Sequence, residues 1–236
     1  MLAHVASVWA LVLAPGVGPD ALREVYEPGR GTRLVILAAA EFGPDPHVAA
    51  GVELIARTMG SGDAVGVVEY GAVARIVAPL RRSRVEAEFE ELRRQITTLG
   101  ALEPGGLVTE GLQLALDVLG PRSDIHDDMV WWLPGHSSIP LGTLESFFAA
   151  LRIRGVSVHA LIPRERDDVD HLRQLVVSTG GVLRRYDGAA RLPQALFRFR
   201  GRASGSDILP VRGGALWVDE HVESMLMLMT RGRRRP

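Results

Sequence analysis

Three residue types with distinctive chemistry are missing from this chain of 236 residues, namely cysteine, lysine and asparagine. The absence of cysteine excludes thiol nucleophiles, iron–sulfur clusters, cysteine zinc sites and disulfides. The absence of lysine excludes a phosphate-loop lysine and a Schiff base with pyridoxal phosphate. The absence of asparagine removes N-glycosylation. These absences favour a cytoplasmic protein, and the use of arginine for all 27 basic residues is typical of a GC-rich bacterial genome.

The chain also carries almost no net charge, and its apolar runs are short. The 27 basic and 28 acidic residues give a net charge of −1, so we expect no nucleic-acid binding. The four arginines of residues 231–235 predict a solvated basic tail with a weak, salt-sensitive attraction to phosphate. Residues 5–14 (VASVWALVLA) are too few to span a bilayer and lack the preceding positive charge of a signal peptide. We predict a buried strand there and no membrane span.

The remaining chain alternates short β-branched apolar runs with longer runs of helical period, a pattern typical of parallel βαβ units. Strands are predicted at residues 33–38, 64–70, 72–78, 129–133, 156–162 and 182–186. Helices are predicted at residues 48–59, 83–99 with a Ser83–Glu86 capping box, 112–119, 144–153, 169–178 and 192–199. Gly71 joins two strands in a hairpin, which makes one of them antiparallel. The predicted fold is a doubly wound, Rossmann-like α/β domain, with a mostly parallel sheet, helices on both faces and one antiparallel edge strand.

Proline- and glycine-rich joints divide the chain into three predicted parts. Residues 1–32 form an N-terminal appendage that packs on the core, 33–200 form the domain, and 201–236 form a C-terminal appendage with the basic tail. The apolar run from Trp217 to Met229 fits either a strand or a helix, and we expect it to be buried.

Several segments in this order resemble the von Willebrand factor A family. They are the Gly62-Asp63 pair opening a strand–hairpin–strand unit, the turn and helix LEPGGLVTEGLQLALDVL of residues 102–119, and the late strand–helix–Thr-Gly-Gly–strand run of residues 155–197. The resemblance covers roughly residues 33–200. It implies a metal-ion-dependent adhesion site at the carboxyl ends of the strands. That site uses an aspartate and two serines after the first strand, a threonine in a second loop and an aspartate in a third.

The chain departs from this pattern in all three loops. Ala38, Ala39 and Ala40 follow the first strand, Gly106 takes the threonine position unless a shifted alignment places Thr109 there, and the third loop reads Leu133-Pro134-Gly135. The residues left to hold an ion are Glu41, Thr109 and Ser137. Because a single carboxylate is a poor cage for a divalent cation, we expect no metal and no other cofactor.

The loops at residues 39–46, 103–108 and 134–142 are still predicted to form one rim, where binding residues concentrate. The candidate partner-binding residues are Glu41, Phe42, Gly106, Thr109, Pro134, His136 and Ser137. The leading interpretation is a non-catalytic protein–protein interaction module with an unknown protein partner. The first alternative is a magnesium-dependent adhesion or co-chelatase-type subunit that binds the ion through Glu41 and Thr109.

The second alternative is a serine hydrolase. Residues 135–139 (GHSSI) resemble a nucleophile elbow with Ser137 as nucleophile, and Asp207 and His221 follow in the order of an α/β-hydrolase triad. The fifth-position glycine of the elbow is missing, which disfavours catalysis. His126, Asp127 and Asp128 are interpreted as a solvated loop before a strand rather than as a cluster of metal ligands.

Overall fold

The computed structural model describes residues 31–59, 62–82, 86–135 and 144–203. The strands are β1 (Gly31–Ala39), β2 (Ala64–Tyr70), β3 (Ala74–Arg82), β4 (His126–Leu133), β5 (Val156–Pro163) and β6 (Leu183–Tyr186). The helices are α1 (Pro46–Thr58), α2 (Glu86–Ile96), α3 (Val108–Leu119), α4 (Leu144–Arg154), α5 (Val169–Ser178) and α6 (Leu192–Ala203). Short 3₁₀ turns occur at Ala40–Phe42 and Ala189–Arg191.

The six described strands form one sheet in the order β3-β2-β1-β4-β5-β6. The β1 strand lies inside the sheet, parallel to β2 and β4, and its last six residues are all buried. Such continuous burial requires the apolar run that the sequence carries there. The β3 strand lies at the edge and pairs antiparallel with β2, with register irregularities between Val65 and Val68. The predicted fold class is therefore confirmed.

Helices cover both faces of the sheet because successive strand residues alternate between them. Val35 and Leu37 belong to the core under α3, α4 and α5, whereas Leu34 and Ile36 belong to the core under α1, α2 and α6. The two adjacent tryptophans of β4 divide in the same way, because Trp132 packs on Phe148 of α4 and Trp131 packs on Phe199 of α6. The sheet thus separates two apolar layers.

The predicted element types agree with the structure, but several boundaries do not. Helix α3 begins at Val108, four residues before its predicted start, and β4 begins at His126, three residues before its predicted start. Strand β3 begins two residues later than predicted and continues to Arg82. The residues at these ends are largely polar, so apolar periodicity does not extend to the true boundaries of the elements.

Some predictions fall on residues outside the described ranges. These are the strand at residues 5–14, the capping residue Ser83, the loop residues 136–143 and the run at residues 217–229. Most of both predicted appendages also lies there. No helix in the described ranges is long and apolar enough to cross a membrane.

Candidate functional site

The candidate site lies where neighbouring parallel strands β1 and β4 end. The chain leaves β1 for helix α1 on one face of the sheet, and it leaves β4 for helix α4 on the other face. A crevice is expected where adjacent strands turn to opposite faces in this way. We call the loops at these carboxyl ends the rim, and its described parts are residues 40–45, 100–107, 134–135 and 164–168.

The first loop offers little polar chemistry. Ala38, Ala39 and Ala40 stand where the family resemblance implies a metal-binding aspartate, and all three are buried. Glu41 lies in the following 3₁₀ turn and is half-buried. Phe42 packs against both apolar layers, so it anchors the loop to the core.

The second loop is held by close backbone packing. Gly106 has a φ of 89°, and a Cβ atom at this position would overlap the carbonyl oxygen of Gly71 in the β2–β3 turn. The backbone N–H of Ala72 donates to the Glu103 carbonyl at 2.9 Å and fixes the same approach. A threonine is therefore sterically incompatible with residue 106. Thr109 is half-buried in the first turn of α3 and shares a surface depression with Val73 and Phe147 rather than with Glu41.

The third loop brings the first and third predicted rim segments together. Pro134 and Gly135 are both buried, so Pro134 supports the loop from inside. The Glu41 side chain lies directly against Gly135, where any Cβ atom would overlap the carboxylate. A side chain on residue 135 could be accommodated only if Glu41 moved, and the aspartate of the family pattern aligns with the preceding residue, Pro134.

A buried cation lies beside Gly135. Arg166, three residues beyond the end of β5, has a side chain that is only 3% exposed. Its Nε and Nη2 atoms donate to the two carboxylate oxygens of Asp168, the second contact measuring 2.8 Å, and its Nη1 donates to the Gly135 carbonyl oxygen. A fork-shaped pairing of this kind satisfies a buried guanidinium.

Tyr70, the last residue of β2, completes this buried group. Its hydroxyl oxygen accepts a hydrogen bond from the Trp132 indole at 3.1 Å. Burial raises the pKa of Tyr70, and the Glu41 carboxylate raises it further, whereas the Trp132 hydrogen bond and the Arg166 guanidinium act in the opposite direction. The phenol stays protonated, so it is a hydrogen-bonding group rather than an anionic ligand.

These residues do not fit a divalent cation. Mg²⁺ needs several oxygen ligands at once, and alanine, glycine and proline fill the family's ligand positions. A fixed guanidinium beside the site adds electrostatic repulsion. Within the described ranges, no three histidine or carboxylate side chains are placed to hold an ion together. Three weak metal-ligand candidates remained from the sequence. Thr109 lines a surface depression to which Glu41 does not contribute. Ser137 lies outside the described ranges, as does the partner-binding candidate His136.

Several residues of this region were not predicted from the sequence. Arg166 sits in a charged run (RERDD) that resembles an ordinary solvated loop, and Tyr70 was counted only as a strand residue. Glu69 was also missed, although it is 1% exposed and accepts two hydrogen bonds from Arg75, at 2.8 and 2.7 Å. A carboxylate inside an otherwise apolar strand was the available signal, because a buried charge requires a partner.

At the opposite end of the sheet, the interpretation of residues 126–128 as a solvated loop was wrong. All three residues belong to β4, and Asp128 is buried. Its carboxylate accepts two hydrogen bonds from Arg33, both at 2.7 Å. His126 pairs with the Ser123 hydroxyl at 2.8 Å. Asp128 needed no solvent because its register partner on β1 is Arg33.

Comparison with solved structures identifies the fold. The chain matches a von Willebrand factor type A protein from Catenulispora acidiphila with a TM-score of 0.59 and 15% identity, over 77% of this chain and 44% of that one. It matches BatB from Bacteroides thetaiotaomicron with a TM-score of 0.58 and 14% identity, over 75% and 100% of the two chains. It matches the pilus adhesin SpaC from Lactobacillus rhamnosus GG with a TM-score of 0.58 and 11% identity, over 76% and 31%.

No family model matches the sequence, and no curated protein matches it. The chain spans less than half of the Catenulispora protein and of the pilus adhesin. The domain nevertheless has the von Willebrand factor A fold, as the resemblance in the sequence predicted.

Proposed function

We propose that this chain is a non-catalytic protein-interaction module that works without a metal ion. The observation that carries the proposal is the environment of Gly135, which contacts the Glu41 side chain and accepts a hydrogen bond from the buried Arg166. A metal-dependent adhesion domain uses this edge of the sheet to hold an ion. Here a glycine and a guanidinium fill that region instead.

The rim also offers a surface for a partner. Leu107 lies in the second loop, immediately before α3, and is 50% exposed. Loops on a rigid scaffold are where binding residues concentrate, so Leu107 is the rim position at which partner binding is tested. The pilus adhesin with the same fold supports an adhesive role for such a domain, although the likeness extends to the fold alone. We place the protein in the bacterial cytoplasm, on the residue usage described above.

Metal independence is tested by thermal melting. Millimolar Mg²⁺, Mn²⁺ or Ca²⁺ should leave the melting temperature of the full chain unchanged, because a ligand that binds only the native state must raise it. Protein treated with a chelator serves as the control. A rise of several degrees that Glu41→Ala abolishes would establish the magnesium-dependent alternative instead.

Partner binding at the rim is tested with two matched variants. Leu107→Asp places a charge on the rim, whereas Ile153→Asp places one on an exposed apolar residue near the end of α4, which leads to the opposite end of the sheet. Affinity capture followed by mass spectrometry should recover the same protein with the wild type and with Ile153→Asp, and lose it with Leu107→Asp. Equal recovery with both variants contradicts a role for the rim.

The hydrolase alternative has its own test. An unactivated serine does not react with fluorophosphonates, so labelling of Ser137 should be absent and simple esters should not be hydrolysed. Ser137→Ala provides the control. Labelling that this substitution removes would show that the protein is an enzyme.

A further inference from the structure

Arg166 differs from every other arginine near the rim in its burial. Arg164, two residues earlier, forms an ion pair with Asp187 in which the side chains are 67% and 59% exposed. Arg166 is 3% exposed, and its three nitrogens are all engaged by Asp168 and Gly135. Burying a guanidinium is costly even when it is paired, so the hydrogen bonds of Arg166 must compensate for the hydration that it loses.

The bonds of Arg166 join separate strands. Its guanidinium reaches Gly135, beyond β4, and its own carbonyl oxygen accepts a hydrogen bond of 3.2 Å from Arg185 of β6. Through Gly135 it also adjoins Glu41, at the end of β1. Tyr70, at the end of β2, experiences the charges of both Arg166 and Glu41. One cation therefore lies at the meeting point of the strand ends that form the crevice.

We propose that Arg166 is a positioning residue whose guanidinium replaces the metal ion of this fold as the cation that holds the rim together. This inference rests on the proposed metal-independent function. A divalent ion crosslinks loops by collecting oxygen ligands from several strand ends. Arg166 joins its own loop to the loop after β4 with directed hydrogen bonds to the Asp168 carboxylate and to the Gly135 carbonyl oxygen. The rim is consequently assembled before any partner arrives.

A role as cation can be distinguished from ordinary packing by chemical rescue. Arg166→Ala removes the guanidinium but leaves the groups that bound it, so free guanidinium can occupy the vacated position and stabilise the native state by mass action. The probe is guanidinium chloride at about 10 mM, far below the concentrations that denature proteins. Sodium chloride and urea at the same concentration control for ionic strength and for shape without charge.

The full chain, Arg166→Ala, Arg166→Lys and the matched control Arg164→Ala are compared by thermal melting. We expect Arg166→Ala to melt about 5–10 °C below the wild type, because it leaves Asp168 and Gly135 without their partner. Guanidinium should raise the melting temperature by several degrees in Arg166→Ala alone. Arg166→Lys should melt between Arg166→Ala and the wild type. The proposal is overturned if guanidinium has no effect on Arg166→Ala, if it raises all four proteins equally, or if Arg166→Ala melts like Arg164→Ala.

A second readout reports on the site itself and remains usable if Arg166→Ala is too unstable to melt cooperatively. The indole N–H of Trp132 donates to Tyr70, beside Arg166, and its NMR resonance can be assigned with Trp132→Phe. The resonance should shift in Arg166→Lys and in Arg166→Ala, return towards the wild-type position when guanidinium is added to Arg166→Ala, and stay unchanged in Arg164→Ala. An unchanged resonance in both Arg166 variants overturns the proposal. The two proposals fail separately, since metal binding by the wild type refutes the first and absence of guanidinium rescue in Arg166→Ala refutes the second.

Discussion

Among the described residues, each end of the sheet carries an arginine–aspartate pair with one buried and one half-buried partner, and the two pairs are built differently. At the amino ends of the strands, Arg33 of β1 faces Asp128 of β4 as its direct register partner, with side chains 15% and 3% exposed. At the carboxyl ends, Arg166 pairs with Asp168, two residues away, and its third nitrogen donates to the Gly135 carbonyl oxygen. In both pairs the guanidinium donates two hydrogen bonds to the carboxylate. The amino-end pair joins strands directly, whereas the carboxyl-end pair forms within one loop and reaches another.

The difference shows what each end of the domain requires. A cross-strand charge pair stabilises the register of β1 and β4, where a slip by one residue would reverse the faces of every side chain. The carboxyl-end pair forms within one loop and donates to another, so it affects the geometry of the surface beyond the strand ends. We therefore assign the amino-end pair to folding and the carboxyl-end pair to the shape of the rim.

The strongest way to break this comparison is to remove Asp128. Asp128→Ala leaves the Arg33 guanidinium with the Pro121 carbonyl oxygen, at 2.8 Å, as its remaining described partner. Breaking one side of a buried pair is expected to lower the free energy of unfolding by about 3–5 kcal/mol. Urea denaturation measures the loss, with Asp124→Ala, on an exposed residue of the preceding turn, as the control. A loss below about 1 kcal/mol would mean that this pair does not stabilise the sheet.

The next effect tests the packing of the rim. Gly106→Thr introduces the threonine that the metal-binding pattern expects, but its Cβ atom would overlap the Gly71 carbonyl, and the positive φ adds strain. We expect a loss of about 3 kcal/mol in the free energy of unfolding. Gly105→Thr has the same kind of strain at a φ of 113° but meets no atom within 4 Å, so it should cost about 1 kcal/mol. Equal losses would contradict the close approach of the two loops.

A third effect concerns the interior between the two ends. His159 of β5 is 4% exposed and lies edge-on to Phe199 of α6, and no described residue hydrogen bonds to its Nδ1 atom. Burial lowers the pKa of His159 from 6.5 to about 4. The unfolded chain therefore binds more protons than the native state between these values, so stability is complete above about pH 6.5 and falls as the pH drops towards 4.

The expected contribution of His159 is a loss of about 2 kcal/mol at pH 5 relative to pH 7. His159→Gln cannot titrate, so its free energy of unfolding should fall less over this range when both proteins are measured in urea. Identical pH profiles would show that His159 is not buried as a neutral group. This measurement sharpens the comparison of the two ends of the sheet. It defines the pH above which His159 no longer affects stability, so that the two charge pairs can be compared there directly.

The smallest expected effect provides the baseline. Arg164→Ala breaks an ion pair whose two side chains are mostly exposed. Solvent screening limits such pairs to less than about 0.5 kcal/mol, so urea denaturation should hardly distinguish this variant from the wild type. A larger loss would mean that any arginine in this loop stabilises the domain, and that Arg166 is not special.

Most of the fold was predictable from the sequence because burial imposes periodicity. The bounds of β2 and α5 agree with the prediction, since both elements begin at an apolar residue and a glycine follows shortly after each, namely Gly71 and Gly180. The start of β4 was missed because His126, Asp127 and Asp128 look like a solvated turn. Only knowledge of the register opposite β1 reveals that Arg33 neutralises Asp128.

The candidate site was predictable only by what it lacks. Alanine, glycine and proline at the family's ligand positions predicted an empty metal site, and the structure adds a steric reason why residue 106 is a glycine. The buried position of Arg166 could not be predicted. The sequence neighbours of Arg166 are charged and resemble a solvated loop. Its burial depends on Gly135, which lies 31 residues away in the sequence and reaches Arg166 only in the folded domain.

The packing around Gly135 also bears on how such a domain can change over generations. Any side chain added at residue 135 would overlap the Glu41 side chain, so it could be accommodated only if Glu41 moved away. The Cβ atom of a threonine at residue 106 would overlap the carbonyl oxygen of Gly71. Each of these substitutions would therefore need a second change in a neighbouring loop before the domain could accommodate it. The two glycines thus couple the loops of the rim, so that the residues of one loop limit which residues the next can accept.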